Sequence, residues 1–289
     1  MNPYLPLASE YARLTRAGQT HPLGGLLPAP APILPADAHR ALVFSPHPDD
    51  ECITGGLALR LLRQAGMNVV NVAVTQGSNR ARQAERFAEL QQACHYLGFG
   101  LLATRPGGLE KITAQTRQTD RSGWNASVQV IADLLSREQP RVVFFPHEHD
   151  WNGTHIGTHF LVVDALKRQS PQFACFTVET EFWGAMDAPN LMVESSAAEV
   201  ADLMAALSFH VGEVRRNPYH LRLPAWMQDN VRRGGELVGG QGGAAPDLDF
   251  ATLYRLRHWR AGAWEPVFTG GRVLSGRDAP GGLFNVSGL

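Results

Sequence analysis

The apolar run Ala41-Leu42-Val43-Phe44 leads directly into Ser45-Pro46-His47-Pro48-Asp49-Asp50-Glu51, and this junction constrains the chain more than any other segment. A short apolar run bounded by turn formers reads as a buried strand. Thr54-Gly55-Gly56, just downstream, reads as the opening of a helix. One histidine and adjacent carboxylates therefore stand at the C-terminal end of a strand, where open α/β sheets place their ligands. Pro46 and Pro48 stiffen the turn and bias the residues before them toward extended conformations. The residue types suit a division of labour: His47 and Asp50 as ligands for a borderline metal such as zinc, Asp49 as the base on a metal-bound water. The plainer reading is a solvated turn whose acidic residues favour a helix N-terminus.

A second cluster shifts that balance. Pro140-Arg141-Val142-Val143-Phe144-Phe145-Pro146 reads as another buried strand, and His147, His149, His155 and His159 follow within thirteen residues. Thr154 is the expected N-cap of a helix running on through Phe160 to Lys167. On that helix His155 and His159, four apart, project from one face. The spacing supplies one metal ligand and one neighbouring imidazole for acid or oxyanion chemistry. A lone histidine is most often a surface or satisfied core residue. Four at the end of a second strand, in a chain whose first strand ends in His-x-Asp-Asp, point to one shared crevice.

These residues resemble the PIG-L/LmbE-type zinc-dependent N-deacetylases. The family's Pro-His-Pro-Asp-Asp-Glu motif stands complete as Pro46 to Glu51, and Gly55-Gly56 fits its following turn. Val72-Ala73-Val74-Thr75-Gln76-Gly77 is similar to its second strand and Thr-x-Gly turn, and Arg86-x-x-Glu89-Leu90 to its next helix. The resemblance spans about residues 40 to 170. It implies that His47, Asp50 and a later histidine bind zinc, one ion per chain, and that Asp49 is the general base. It implies a further histidine facing the oxyanion and Arg86 holding a substrate hydroxyl; a plain helix-surface charge is the alternative for Arg86. The family's second motif is commonly His-Pro-Asp-His, whereas this chain has Asn152-Gly153-Thr154-His155 or His155-Ile156-Gly157-Thr158-His159. We take His155 as the third ligand and His159 as the oxyanion residue, with His149, His147 and Asn152 as alternatives for the latter. A nitrogen–oxygen donor set also accepts iron(II) or cobalt(II).

The 289 residues suffice for one large α/β domain, and the formal net charge of -1 offers no basic face for nucleic acid. No run approaches a membrane span and no basic, apolar leader opens the chain, so a cytoplasmic location is expected. The three cysteines, Cys52, Cys94 and Cys175, are dispersed and exclude a Cys-x-x-Cys zinc site. Cys52 is expected to pack beneath the motif and Cys94 in the core.

Strands expected at 41–46, 68–75, near Leu101, 141–146 and 173–182 alternate with helices at 54–66, 80–97, 125–138 and 154–168. That alternation predicts a Rossmann-like α/β fold, a mostly parallel sheet with helices on both faces, plus a C-terminal α+β extension. Residues 1–38 form an N-terminal extension with a short helix near 11–16 and a proline-studded stretch at 28–35; 39–189 form the core carrying the site; 190–289 complete the domain. Ser195 or Ser196 caps a helix over 197–211, near whose end His210 is a substrate-site candidate; a dipole-favoured helix-end histidine is the alternative. The Gly-rich stretch 234–246 reads as a mobile loop, and Tyr254 to Trp259 as a late strand. Trp151, Trp183 and Trp226 are candidate pocket walls for a sugar ring, with ordinary core packing as the alternative.

Together these point to a zinc-dependent hydrolase that removes an N-acetyl group from an N-acetylglucosamine-type sugar or conjugate. Two other readings compete. A nucleotide-binding Rossmann protein would need a Gly-x-Gly-x-x-Gly turn or a Walker lysine, and neither is present. A non-catalytic metal-binding relative would hold metal without cleaving amides. The sequence assigns no oligomeric state.

Overall fold

The computed structural model describes residues 2–28 and 31–284; residues 29 and 30, within the proline-studded stretch, lie outside that range. Helix α1 (Leu5–Gly18) is longer than the short helix expected there. The sheet begins with β1 (Arg40–Ser45), whose last residues carry the chain into the His-Pro-Asp-Asp turn. The helix expected over 54–66 is broken into α2 (Asp50–Ile53) and α3 (Gly56–Arg63). Gly55 makes the break with φ +83°, and a Cβ there would lie 2.3 Å from Thr252 Oγ1. Then follow β2 (Asn68–Ala73), α4 (Gln83–Leu97), β3 (Gly100–Ala103), α5 (Ala114–Thr119), α6 (Arg121–Glu138), β4 (Val142–Pro146), α7 (Gly153–Leu166) and β5 (Ala174–Thr180).

The C-terminal residues add β6 (Leu191–Glu194), α8 (Ala197–Leu207), α9 (Val211–Arg216), α10 (Leu223–Leu237), β7 (Ala251–Arg260), β8 (Ala263–Pro266) and β9 (Arg272–Leu274). Among the described residues nine strands share one sheet, ordered β3-β2-β1-β4-β5-β7-β6-β9, with β8 paired to β7. Strands β1 to β5 are parallel, and β7 runs antiparallel between β5 and β6. The fold is thus α/β with a mostly parallel, mixed sheet. Alternate residues of β1 feed two cores: Ala41 and Val43 pack with Leu57, Leu90 and Leu203, while Leu42 and Phe44 pack with Val128, Ile131 and Val162. Both sheet faces are covered by helices, which is why β1 and β4 read as continuous apolar runs.

Three local expectations are corrected. Asn152, not Thr154, caps α7, its Oδ1 accepting from the Thr154 amide at 2.8 Å. The helix expected over 197–211 ends at Leu207, with Ser196 and Glu199 closing a capping box at its start. Gly234 and Gly235 lie inside α10, not in a loop. A Cβ on Gly234 would stand 2.7 Å from Met192 Cε, so the glycine permits the helix to press on the sheet.

Candidate active site

The switch in strand order brings the ends of β1 and β4 side by side, and with them the two histidine-bearing segments. His47 Nδ1 and His155 Nε2 stand 3.2 Å apart, and Asp50 Oδ2 is 3.4 Å from the first and 3.3 Å from the second. A tetrahedral zinc with bonds of about 2.0–2.1 Å has ligand atoms roughly 3.3–3.4 Å apart. The three donors therefore fit one such ion, and among the described residues His47, Asp50 and His155 form one of three groups with that capacity.

Charge points the same way. Against burial, which alone would lower it, Asp50 and then Asp150 push the His155 imidazole up to about 10. Asp50, although burial opposes it, is held well below the ordinary carboxylate range by His155 and His47. The site favours a positive charge at its centre. His155 Nδ1 faces Asp150 Oδ1 at 3.4 Å, and Asp150 is anchored by the Trp183 and Gly184 amides at 3.0 and 3.1 Å. This is the carboxylate behind a histidine that orients the ring and raises its basicity.

Asp49 adopts φ +112°, a conformation L-residues rarely take. Its own amide donates to Glu51 Oε2 at 2.9 Å, which pins the turn. Its Oδ2 accepts from the Tyr219 hydroxyl at 2.6 Å and lies 3.7 Å from Arg86 Nη2. Burial, and then the neighbouring Asp50, raise Asp49 to about 6, against the pull of His210, Arg86 and Tyr219. Burial and Asp49 together push the Tyr219 phenol upward, so it remains a donor.

The other expected residues are distributed differently. His159 is buried, with Nδ1 3.0 Å from the Pro146 carbonyl and 3.4 Å from Glu179 Oε1. Glu179 is itself paired to Arg255 and Arg257, so His159 belongs to a network apart from Asp49. His147 is buried and bridges to the Gly184 carbonyl at 2.9 Å; His149 is exposed beside Asp187. Asn152 spends its side chain on the cap. Arg86 is no plain surface charge: its Nη2 donates to the Pro48 carbonyl at 2.9 Å. His210 is fully buried, its Nε2 2.6 Å from Glu51 Oε1, so its hydrogen bond goes to Glu51 and not to Asp49. Cys52 is buried and donates to Glu51, and Cys94 is in the core, both as expected.

Two clefts flank this centre. One, of about 370 Å³, runs past His47 and Thr154 to the charged side chains Arg80, Glu110 and Lys111. The other, of about 380 Å³, starts at Tyr219 and Phe182 and opens between Trp151, Trp183 and Trp226. The three tryptophans thus line one cleft, and Trp226 packs against the core as well.

Residues 42–166 match the PIG-L family, described as GlcNAc-PI de-N-acetylase, over most of the segment where the motifs lie. No curated protein matches the chain. Among solved structures, the N,N'-diacetylchitobiose deacetylase of Pyrococcus horikoshii is 17% identical, with a TM-score of 0.53 over 86% of this chain and 92% of that one. The zinc-inhibited form of teicoplanin deacetylase Orf2 is 15% identical, with a TM-score of 0.55 over 76% of this chain and 98% of that one. The 4-carboxy-2-hydroxymuconate hydratase GalB of Pseudomonas putida is 18% identical, with a TM-score of 0.55 over 75% of this chain and 95% of that one. These likenesses share the fold. Because that fold carries a hydratase as well as deacetylases, the reaction must be argued from the site.

Proposed function

We propose, taking the family match over residues 42–166 as premise, that this chain is a metal-dependent hydrolase that removes the acetyl group from an N-acetylated sugar or glycoconjugate. The observation that carries the reading is the spacing of His47, Asp50 and His155 at tetrahedral ligand distances, with the Asp49 carboxylate next to them in the same turn. Those three residues would hold the ion, zinc by the chemistry of the donor set, with iron(II) or cobalt(II) as substitutes. When bound, such an ion polarises an amide carbonyl and lowers the pKa of a water toward neutrality.

The chain's own residues supply the rest. Asp49, with a pKa brought near neutrality, takes a proton from the attacking water and returns it to the departing nitrogen. Water and amide become acetate and amine, with no other reactant. Glu51, bonded to the Asp49 amide and backed by His210, holds that carboxylate in its strained turn. Arg86 braces the same turn through Pro48. The Tyr219 hydroxyl, a hydrogen-bond donor from α10's side of the cleft, takes the oxyanion-facing role first given to His159. It orients Asp49 in the free protein and can turn to the carbonyl oxygen of a bound amide; one such donor contributes roughly 3 kcal/mol. In the cleft beside His47, the side chains of Thr75, Gln83 and Thr154 are the groups that would meet the sugar hydroxyls. No described helix is long and apolar enough to cross a membrane, and the proposed substrates are small molecules.

The test is release of free amine from N-acetylglucosamine and its conjugates, followed with fluorescamine, with acetate measured in parallel. Equal, chelator-sensitive release of both supports hydrolysis. Amine-free turnover, or none on any acetylated sugar, removes the reading.

A further inference from the structure

A group of charged side chains lies beneath α9, where that short helix rests on α4. Arg82, Arg86 and Glu89, spaced by four and three residues from the start of α4, share one face of it. The Gly212 amide donates to Glu89 Oε1 at 3.2 Å, and a Cβ on Gly212 would overlap the Arg82 guanidinium, so α9 sits directly on these groups. Glu213 then enters among three arginines. Its Oε1 is 2.8 Å from Arg82 Nη1 and 3.8 Å from Arg86 Nε, and its Oε2 accepts from Arg216 Nη2 at 2.5 Å. Against burial, which alone would raise it, Arg216 and then Arg86 and Arg82 hold the Glu213 carboxyl below its ordinary range, so it is charged at neutral pH. Glu213 is only 6% exposed. A buried cluster of charges is no better for stability than apolar packing of the same volume, so stability alone does not account for it.

What Glu213 holds is Arg86, which stands between two carboxylates at matching distances: Nε is 3.8 Å from Glu213 Oε1, and Nη2 is 3.7 Å from Asp49 Oδ2. Nη2 also donates to the Pro48 carbonyl at 2.9 Å, and Gly77, where a Cβ would overlap Nη1, crowds the guanidinium further. Gly77 lines the cleft beside His47, whereas Arg86 itself lines neither of the two clefts. Its Nε is buried and has no hydrogen-bond partner among the described residues, so charge fixes that end. Without Glu213, the same charge would draw the guanidinium onto Asp49, and a carboxylate locked to an arginine is a poorer base. We propose that Glu213 is a positioning residue: it takes up part of the Arg86 charge, so that Arg86 fixes the Pro48 carbonyl without closing on the Asp49 carboxylate. This rests on the hydrolase reading of the site, in which Asp49 is the base. Glu213 touches no substrate and acts through Arg86.

The experiment is a double-mutant cycle with one independent readout. Glu213→Gln keeps the shape and an oxygen and removes the charge. Its kcat for amine release is expected to fall by about ten- to a hundredfold, with KM little changed. Arg86→Met removes the charge that is held, and in that background Glu213→Gln is expected to add nothing to the loss. A merely structural Glu213, acting through Arg82 and Arg216, would add its full loss in both backgrounds. Such additivity, a change in KM in place of kcat, or an undiminished kcat overturns the inference. The independent readout needs no substrate: heteronuclear NMR of the arginine side chains in the metal-free protein. The Arg86 Nε–H signal, identified by its loss in Arg86→Met, is expected to be resolved and slow to exchange with solvent in the wild type, and to shift in Glu213→Gln. A wild-type Arg86 signal that exchanges as fast as those of exposed arginines overturns the inference even if the variants do not fold. An Arg86 signal that responds to Glu213→Gln, with no amide hydrolysed, upholds the charge sharing and defeats the hydrolase reading. Hydrolysis with an Arg86 signal indifferent to Glu213→Gln does the reverse.

Discussion

Replacing Asp49 by asparagine should stabilise the metal-free protein while it disables the reaction. Asp49 is forced into a positive-φ turn beside Asp50, and its pKa is pushed up to about 6 from an ordinary 3.8, by burial first and Asp50 second. An acid that binds its proton more tightly folded than unfolded loses stability when it ionises. The loss is absent below the unfolded value, grows as pH rises through the interval, and is complete above about 6. Its full size is at most roughly 3 kcal/mol, or about 5 °C in Tm for a chain of this size. Asparagine keeps an oxygen for the Tyr219 hydroxyl and tolerates positive φ, so the variant removes the charge and little else. The assay is thermal unfolding of chelator-treated wild type and Asp49→Asn at pH 5 and pH 7.5. The variant should be more stable at the higher pH, with the difference narrowing at the lower one. Alongside, kcat should fall by about 10²- to 10⁴-fold with metal retained. A variant less stable than wild type at pH 7.5, or a difference that ignores pH, would refute the electrostatic reasoning; near-normal turnover would remove Asp49 as the base.

Tyr219→Phe should lower kcat about 10²-fold with unchanged metal content, measured by steady-state kinetics and metal analysis; full activity would return the polarising role to another residue. Asp150→Ala should weaken zinc binding by about 10- to 100-fold in competition with a chromophoric chelator, since it removes the carboxylate behind His155. His159→Ala should cost stability of about 1–3 kcal/mol in denaturant titration, because it leaves Glu179 and the Pro146 carbonyl short of a partner, and should change kcat little. A loss of turnover in that variant without loss of stability would restore His159 to the reaction.

What the sequence made legible was whatever the chain encodes over a few residues. The apolar runs at 41–44 and 142–145 are strands because both their faces are buried, and the histidine and carboxylates after β1 meet His155 because parallel neighbours end at the same edge. The spacing of His155 and His159 placed both on one helical face. It did not say that the ring one turn on would meet the Pro146 carbonyl and Glu179 instead of Asp49. Tyr219 was missed altogether: it meets Asp49 across 170 residues, and no local pattern marks it. The antiparallel insertion of β7 between β5 and β6 was equally hidden, since strand direction depends on connections and not on the strand's own residues. The glycines of α10 misled because a helical glycine is costly in isolation, and only the approach of Met192 accounts for Gly234.

The most direct test of the central claim, that His47, Asp50 and His155 hold a cation on which amide hydrolysis depends, is the metal content of purified wild type and His155→Ala, paired with amine release before and after chelation. The account predicts about one zinc per wild-type chain, none in the variant, and release that stops with chelator and returns with added zinc. Wild-type protein that binds no zinc when it is supplied, or amine release that persists without metal, would contradict it.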